Sequence, residues 1–104
     1  MATDKVKTLI GFAMKAGKVV FGTDNIEYSR TKRLIILCNT LSENSCKKVV
    51  AHCGKVPVLL VTQGTLAEIT HRENCKAIAI TDKQMSEAIL NNKNGNYRLI
   101  TEVR

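Results

Sequence analysis

Three short, continuous apolar runs alternate with segments of helical periodicity, and this alternation constrains the fold more than any other feature of the sequence. The runs cover residues 34–38, 58–61 and 77–80. Continuous apolar runs of this length are typical of strands that are buried on both faces. Strands that alternate with helices favour right-handed β-α-β connections and a parallel core sheet, so we expect an α/β fold.

Apolar residues at helical spacing predict the helices that cover this sheet. The stripe over residues 3–16 indicates a first helix, which Gly17 is well placed to end. A second long helix is predicted over residues 42–53, and Thr65-Leu-Ala-Glu68 is a capping-box pattern that begins a short helix. A last helix is expected after the third apolar run.

The expected architecture is a three-layer α/β/α sandwich with a four-stranded mixed sheet, in which the first strand need not run parallel to the others. A chain of 104 residues is long enough for one compact domain and too short for two. We therefore expect a single domain over residues 1–104, with its core at about 3–90. Residues 99–103 either add a short edge strand or leave the sheet.

Residues 17–28 form the most informative local segment. Val19-Val20-Phe21 predicts a short strand, Gly22 a turn, and Thr23 the N-cap of a helix that extends to residue 30. A helix start exposes unpaired N–H groups and a partial positive charge, which suits an anion such as a nucleic-acid phosphate. The same segment fits an ordinary strand-to-helix turn of an α/β protein.

The charge of the chain favours an anionic partner. Lys and Arg number 16 against 9 Asp and Glu, which gives a formal net charge of +7. A basic excess of this size is typical of nucleic-acid-binding proteins, although scattered lysines also keep a protein soluble. The basic residues occur in small groups, so the fold must assemble any basic face.

Several function classes lack their expected residues. The sequence contains neither a Gly-x-x-x-x-Gly-Lys-Ser/Thr loop nor a Gly-x-Gly-x-x-Gly motif, and His52 and His71 are far apart with no recognisable triad. No two of the four cysteines have C-x-x-C spacing, so we expect reduced thiols and no metal site. We therefore expect neither an enzyme nor a bound cofactor.

No membrane span or leader segment is expected. No stretch approaches the roughly 20 consecutive apolar residues that a span requires. Residues 6–14 are interrupted and amphipathic, unlike the apolar core of a signal peptide. We expect a cytoplasmic protein with no membrane partner.

Motifs along most of the chain match those of one family. They are Ala16-Gly17-Lys18, Gly22-Thr23, the run from Lys32 to Leu37, and the segment from Asn44 to Val58. In these motifs the sequence resembles the L-seven-Ae/L-thirty-e family of ribosomal proteins, and its bacterial YlxQ-type branch most of all. The resemblance implies a small α/β/α domain that binds kink-turn RNA.

The family's kink-turn signature, Gly-x-Asn-Glu-x-x-Lys, falls at the start of the second predicted helix. Gly22 and Thr23 fit the signature. Asp24 stands where the family often has Asn or Lys, Asn25 where it has Glu or Gln, and Tyr28 where it has Lys. The resemblance implies that these five residues contact RNA, with Asn25 and Asp24 reading a base edge and Tyr28 stacking on a base or sugar.

A second RNA-facing loop and several cations complete the predicted site. The family's Leu-Gly-x-Ala-x-Gly pattern appears at residues 66–71 without its glycines, and Arg72 follows. Lys18, Lys32 and Arg72 are expected to hold phosphates of a ribosomal or other structured RNA, in a monomer that acts alone or on the ribosome. The alternative is a protein-interaction module on the same fold, which an interface residue such as Tyr28 also favours.

Overall fold

A computed structural model describes residues 5–52, 54–93 and 95–100. Helices and strands alternate throughout this part of the chain. In chain order the elements are α1 (Lys5–Lys15), β1 (Val19–Phe21), α2 (Thr23–Tyr28), β2 (Leu34–Leu37), α3 (Glu43–Ala51), β3 (Val58–Val61), α4 (Leu66–Thr70), β4 (Ala77–Ile80), α5 (Lys83–Asn91) and β5 (Tyr97–Leu99). The predicted starting residues 3 and 4 of the first helix, and the predicted last residue of the third, lie outside the described residues.

The strands of the described residues form one mixed sheet in the order β1-β4-β2-β3-β5. Only β2 and β3 pair in parallel; β4 is antiparallel to both β1 and β2, and β5 is antiparallel to β3. The α/β class and the mixed sheet are as predicted. The expectation of four strands was wrong, because β5 forms a fifth strand two residues earlier than the anticipated edge segment.

The expectation of a parallel core sheet was also wrong, and the length of α4 explains why. An α-helix rises about 1.5 Å per residue, so the nine residues of α3 carry the chain back across the sheet for a parallel β3. The five residues of α4 are too few to do so. The chain therefore enters β4 from the end of the sheet at which β3 finishes, and β4 runs antiparallel.

Helices cover both faces of the sheet because the side chains of its strands alternate between two apolar clusters. Leu34 and Ile36 of β2 pack with α1, α4 and α5, while Ile35 and Leu37 pack with α2 and α3. All four of these side chains are buried. The loops that connect these layers lie at the two ends of the sheet.

We name these ends by the direction of β2. The carboxyl end of the sheet carries Gly22, which follows β1, and Cys38, which follows β2; it also carries Lys76, which precedes β4. The amino end carries Lys18, Arg33 and Thr81. The backbone bonds Cys38 N to Lys76 O (2.8 Å) and Thr81 N to Lys18 O (2.9 Å) close the sheet at the two ends.

Candidate nucleic-acid interface

The turn between β1 and α2 depends on glycine. Gly22 is the N-cap of α2 and has φ 91° and ψ 143°, a combination that L-residues rarely adopt. The Asn25 side chain closes the turn by donating from Nδ2 to the Phe21 carbonyl over 2.9 Å. Thr23 is therefore the first residue of the helix, and the prediction that its hydroxyl caps α2 was wrong.

The α2 helix also ends earlier than predicted. Its last residue is Tyr28 rather than residue 30, and the Ser29 N–H donates to the Ile26 carbonyl at its end. Ile26 is buried against β2 and anchors the helix, as its apolar character indicated. Asp24 and Asn25 are exposed in the first turn. Tyr28 lies three residues after Asn25 and four residues after Asp24, so it is on the same side of the helix.

The loop between α4 and β4 reaches the carboxyl end of the sheet beside this turn. His71 and Asn74 both have left-handed backbone conformations, with φ 57° and 59°. The first of these ends α4, and the Cys75 N–H then donates to the Arg72 carbonyl over 3.3 Å. Arg72 lies over the ring of Phe21, with 4.1 Å from its guanidinium carbon to the ring centroid.

A cleft of about 210 Å³ lies between the turn and this loop. We call it the turn cleft; it is lined by Phe21, Gly22 and residues 72–77. Arg72 and Lys76 contribute two positive charges to its lining, and Glu73 contributes one negative charge. The structure thus brings Gly22 and Arg72 of the predicted site together, with Thr23, Asp24 and Asn25 in the adjoining helical turn.

Two predicted phosphate-binding residues lie elsewhere. Lys18 precedes β1 at the amino end of the sheet, across the strand from Gly22. Lys32 is at the same end, where its ammonium group donates to the Ser29 carbonyl over 2.7 Å. Lys18 and Lys32 therefore do not line the turn cleft with Arg72, because β1 separates Lys18 from Gly22 and α2 separates Lys32 from it.

Tyr28 also faces a different opening from the turn cleft. A cleft of about 560 Å³, which we call the basic cleft, opens beside the last turn of α2 and the end of α3. Tyr28, Arg30, Lys32 and His52 are among its lining residues. The Tyr28 side chain is 82% exposed, which leaves most of its ring accessible.

Sequence analysis did not identify Lys76 of the turn cleft, or Arg30 and His52 of the basic cleft, as site residues. Lys76 lines the turn cleft, and its position just before the apolar run 77–80 could have placed it beside Arg72. Arg30 and His52 line the basic cleft, but nothing in the sequence joins the end of α2 to the end of α3.

A buried thiol lies at the carboxyl end of the sheet near the start of α4. Cys38 Sγ accepts hydrogen bonds from Leu66 N–H (3.4 Å) and from the Thr40 hydroxyl (3.1 Å). Burial alone would raise the pKa of the Cys38 thiol, but these bonds, with backbone bonds at Thr40 and Asn39, lower it below its ordinary value. Cys46 is the contrary case, since burial and the charge of Glu43 raise the pKa of its thiol.

The described residues contain neither a cluster of metal-ligand side chains nor a membrane-spanning helix. Over 5–52, 54–93 and 95–100, no group of three or more His, Cys, Asp or Glu side chains is arranged to hold a metal ion. The cysteines described there, Cys38, Cys46 and Cys75, are free thiols. None of the described helices is long and apolar enough to span a bilayer.

Comparison with known proteins identifies a shared fold. No protein-family model matches the chain, and no curated protein matches it. A solved structure of a protein with unknown function from Bacillus halodurans C is similar to it, with a TM-score of 0.78 and 22% identity over 86% of this chain and 96% of that one. At this identity the similarity shows the fold alone.

Proposed function

We propose that this chain is a ribosomal or ribosome-associated protein that binds structured, kink-turn-like RNA at the turn cleft. The observation that carries the proposal is the contact between Arg72 and Phe21, because it holds a cation beside the Gly22 turn. The resemblance of residues 22–28 to a kink-turn signature supports the same site. We further propose that the protein is a cytoplasmic monomer that has no cofactor and no catalytic activity.

The residues of the turn cleft can divide the work of RNA recognition. Arg72 and Lys76 supply cations for phosphates, which position an RNA. Gly22 has no side chain, so an RNA backbone can approach the turn closely. These contacts would fix a bent RNA on the protein without reading its sequence.

Base reading falls to the first turn of α2. Asn25 uses one N–H of its carboxamide to hold the Phe21 carbonyl; the carboxamide has a second N–H and an acceptor oxygen for a base edge. Asp24 is exposed beside it and can accept from an amino group of a base, although its charge repels phosphate. Unstacked bases of an internal loop present such edges.

The decisive experiment compares a kink-turn RNA with a straight duplex of equal length across a salt series. We expect the wild-type protein to prefer the kinked RNA and Asn25→Ala to abolish that preference. Gln84→Ala is the matched control, because Gln84 is an exposed carboxamide at the opposite end of the sheet. Thermal unfolding of each variant separates loss of recognition from loss of the fold.

The salt series also tests the role of the cleft's cations. The logarithm of affinity falls with the logarithm of salt concentration by about 0.7–0.9 for each phosphate contact. Arg72→Ala and Lys76→Ala should each reduce the slope by about that amount. Equal, weak binding of kinked and straight RNA that disappears with salt would contradict specific recognition and leave only a basic surface.

A protein-interaction module on the same fold is the second candidate. Phe12 on α1 is 55% exposed and Tyr28 is 82% exposed, and aromatic residues are enriched at protein interfaces. A stable protein partner that remains bound after nuclease treatment, and that Phe12→Ala releases, would favour this function over RNA binding.

A further inference from the structure

The basic cleft combines an accessible aromatic ring with positively charged side chains. Tyr28 is 82% exposed at the end of α2. Arg30 is exposed, Lys32 is half-buried, and both line the same cleft as Tyr28. A tyrosine ring next to cations is the combination with which proteins hold unpaired nucleotides, because the base stacks on the ring while the phosphate meets the cation.

The negative charge in this cleft is already matched by other residues. Glu27 is mostly buried, with 15% of its side chain exposed, and it contacts Lys48 Nζ at 3.7 Å and His52 Nε2 at 3.3 Å. His52 is held in place by a 2.8 Å hydrogen bond between its Nδ1 and the Lys48 carbonyl. Glu27 is the acidic residue among the described lining residues of the cleft, and because Lys48 offsets its charge, the charges of Arg30 and Lys32 can act on an anion.

Lys32 is oriented for this role by the backbone. Its ammonium donates to the Ser29 carbonyl over 2.7 Å, and an ammonium group has three N–H donors. The bond fixes the lysine at the end of α2 and leaves donors for a phosphate. Lys32, which does not line the turn cleft, thus lines the same cleft as Tyr28.

We propose that the basic cleft binds an unpaired RNA nucleotide, with its base stacked on Tyr28 and its phosphate held by Arg30 and Lys32. The inference rests on the proposed RNA binding and adds a second contact at the other end of α2. The six residues of α2 separate the two sites by about 9 Å. A single-stranded segment that leaves a structured RNA could therefore reach the basic cleft.

The test uses a fluorescently labelled ten-nucleotide uridine RNA, which can form no kink-turn, and the full-length protein. We expect Tyr28→Ala to weaken binding by about 5- to 150-fold, the range measured for loss of one stacked base. Tyr28→Phe keeps the ring and should restore most of the affinity. Phe12→Ala is the matched control, because it removes an exposed aromatic ring from the opposite layer of helices.

Intrinsic fluorescence gives a second readout that a merely structural role of Tyr28 would not produce. The chain has two tyrosines and no tryptophan, and the other tyrosine, Tyr97, is only 5% exposed. Stacking of a base should quench the Tyr28 emission in proportion to binding. Arg30→Ala should keep the quenching at saturation while it reduces the salt dependence of affinity.

Three results would overturn the inference. In the first, Tyr28→Ala binds the uridine RNA as tightly as the wild-type protein does. In the second, tyrosine emission is unchanged at saturating RNA. In the third, a poly-glutamate peptide of the same charge competes for the protein as well as unlabelled uridine RNA does. Failure of the proposed function is recognised separately, because the wild-type protein would then bind the kink-turn RNA and the straight duplex equally well. Tyr28-dependent binding of the uridine RNA without kink-turn preference would support a nucleotide site in the basic cleft and refute kink-turn recognition at the turn cleft.

Discussion

Replacing Gly22 with alanine should destabilise the protein through its backbone alone. At φ 91° and ψ 143°, a non-glycine residue is strained by about 1–3 kcal/mol. The added Cβ would lie 3.8 Å from Asn25 Nδ2, an ordinary contact, so collision with neighbours adds little. The turn cannot relax freely, because Gly22 N donates to the Ala77 carbonyl and Ile26 N donates to the Gly22 carbonyl.

The assay is thermal and urea unfolding followed by circular dichroism. In a domain of about 100 residues, 1 kcal/mol shifts Tm by about 4–8 °C, so a strain of about 1–3 kcal/mol in Gly22→Ala should lower Tm by roughly 4–24 °C. Gly11→Ala is the matched control: Gly11 lies within α1 and has open space around its Cβ position. That variant should gain about 0.5–1 kcal/mol. Equal stability of Gly22→Ala and wild type would refute the assigned turn geometry.

Two further predictions concern stability. Thr65→Ala should lower the free energy of unfolding by about 1 kcal/mol, because Thr65 Oγ1 accepts from the Glu68 N–H over 3.3 Å. Thr23→Ala should be near neutral, since Thr23 caps no helix. Equal losses of stability in urea unfolding would contradict the observed caps. The second prediction concerns Cys38, whose pKa is lowered in the folded state. As the pH rises past this lowered pKa, the thiol ionises in the folded protein before it ionises in the unfolded chain. The free energy of unfolding should therefore rise with pH until the thiol of the unfolded chain also ionises. Cys38→Ala should lack this rise in urea titrations between pH 6 and 10.

The buried strands were predictable because burial on both faces leaves a direct mark on the sequence. The runs at 34–38, 58–61 and 77–80 became β2, β3 and β4 within one residue of the predicted bounds. β5 was harder to predict because only Tyr97 of its three residues is buried. Arg98 and Leu99 are exposed, so the strand has no continuous apolar run. It also directly follows an Asn- and Gly-rich turn.

The capping of α2 was mispredicted for a local physical reason. Ser, Thr, Asp and Asn are the usual N-caps, and Thr23 follows a glycine, which favoured a threonine cap. In the structure Gly22 takes the cap position, and Asn25 supplies the side-chain bond by donating back to Phe21. A carboxamide that donates backward across a turn leaves no pattern that distinguishes it from an ordinary exposed asparagine.

The predicted site residues do not all line one cleft, because positions that are close in sequence can lie at opposite ends of a sheet. Lys18 and Gly22 are four residues apart, but they flank β1 and therefore lie at its two ends. Gly22 and Arg72 are far apart in sequence and share one cleft. Charge and motif identify candidate residues, whereas strand direction decides which of them can touch one ligand.

The shortness of α4 links the fold to the candidate site. Thr65 caps a helix of only five residues, and His71 ends it in a left-handed conformation. Because so short a helix cannot cross the sheet, the following loop stays at the carboxyl end, and β4 enters between β1 and β2. This entry sets Ala77 opposite the Gly22 N–H and brings Arg72 over Phe21. A longer α4 would deliver a parallel strand from the amino end and would leave the Gly22 turn without its cation.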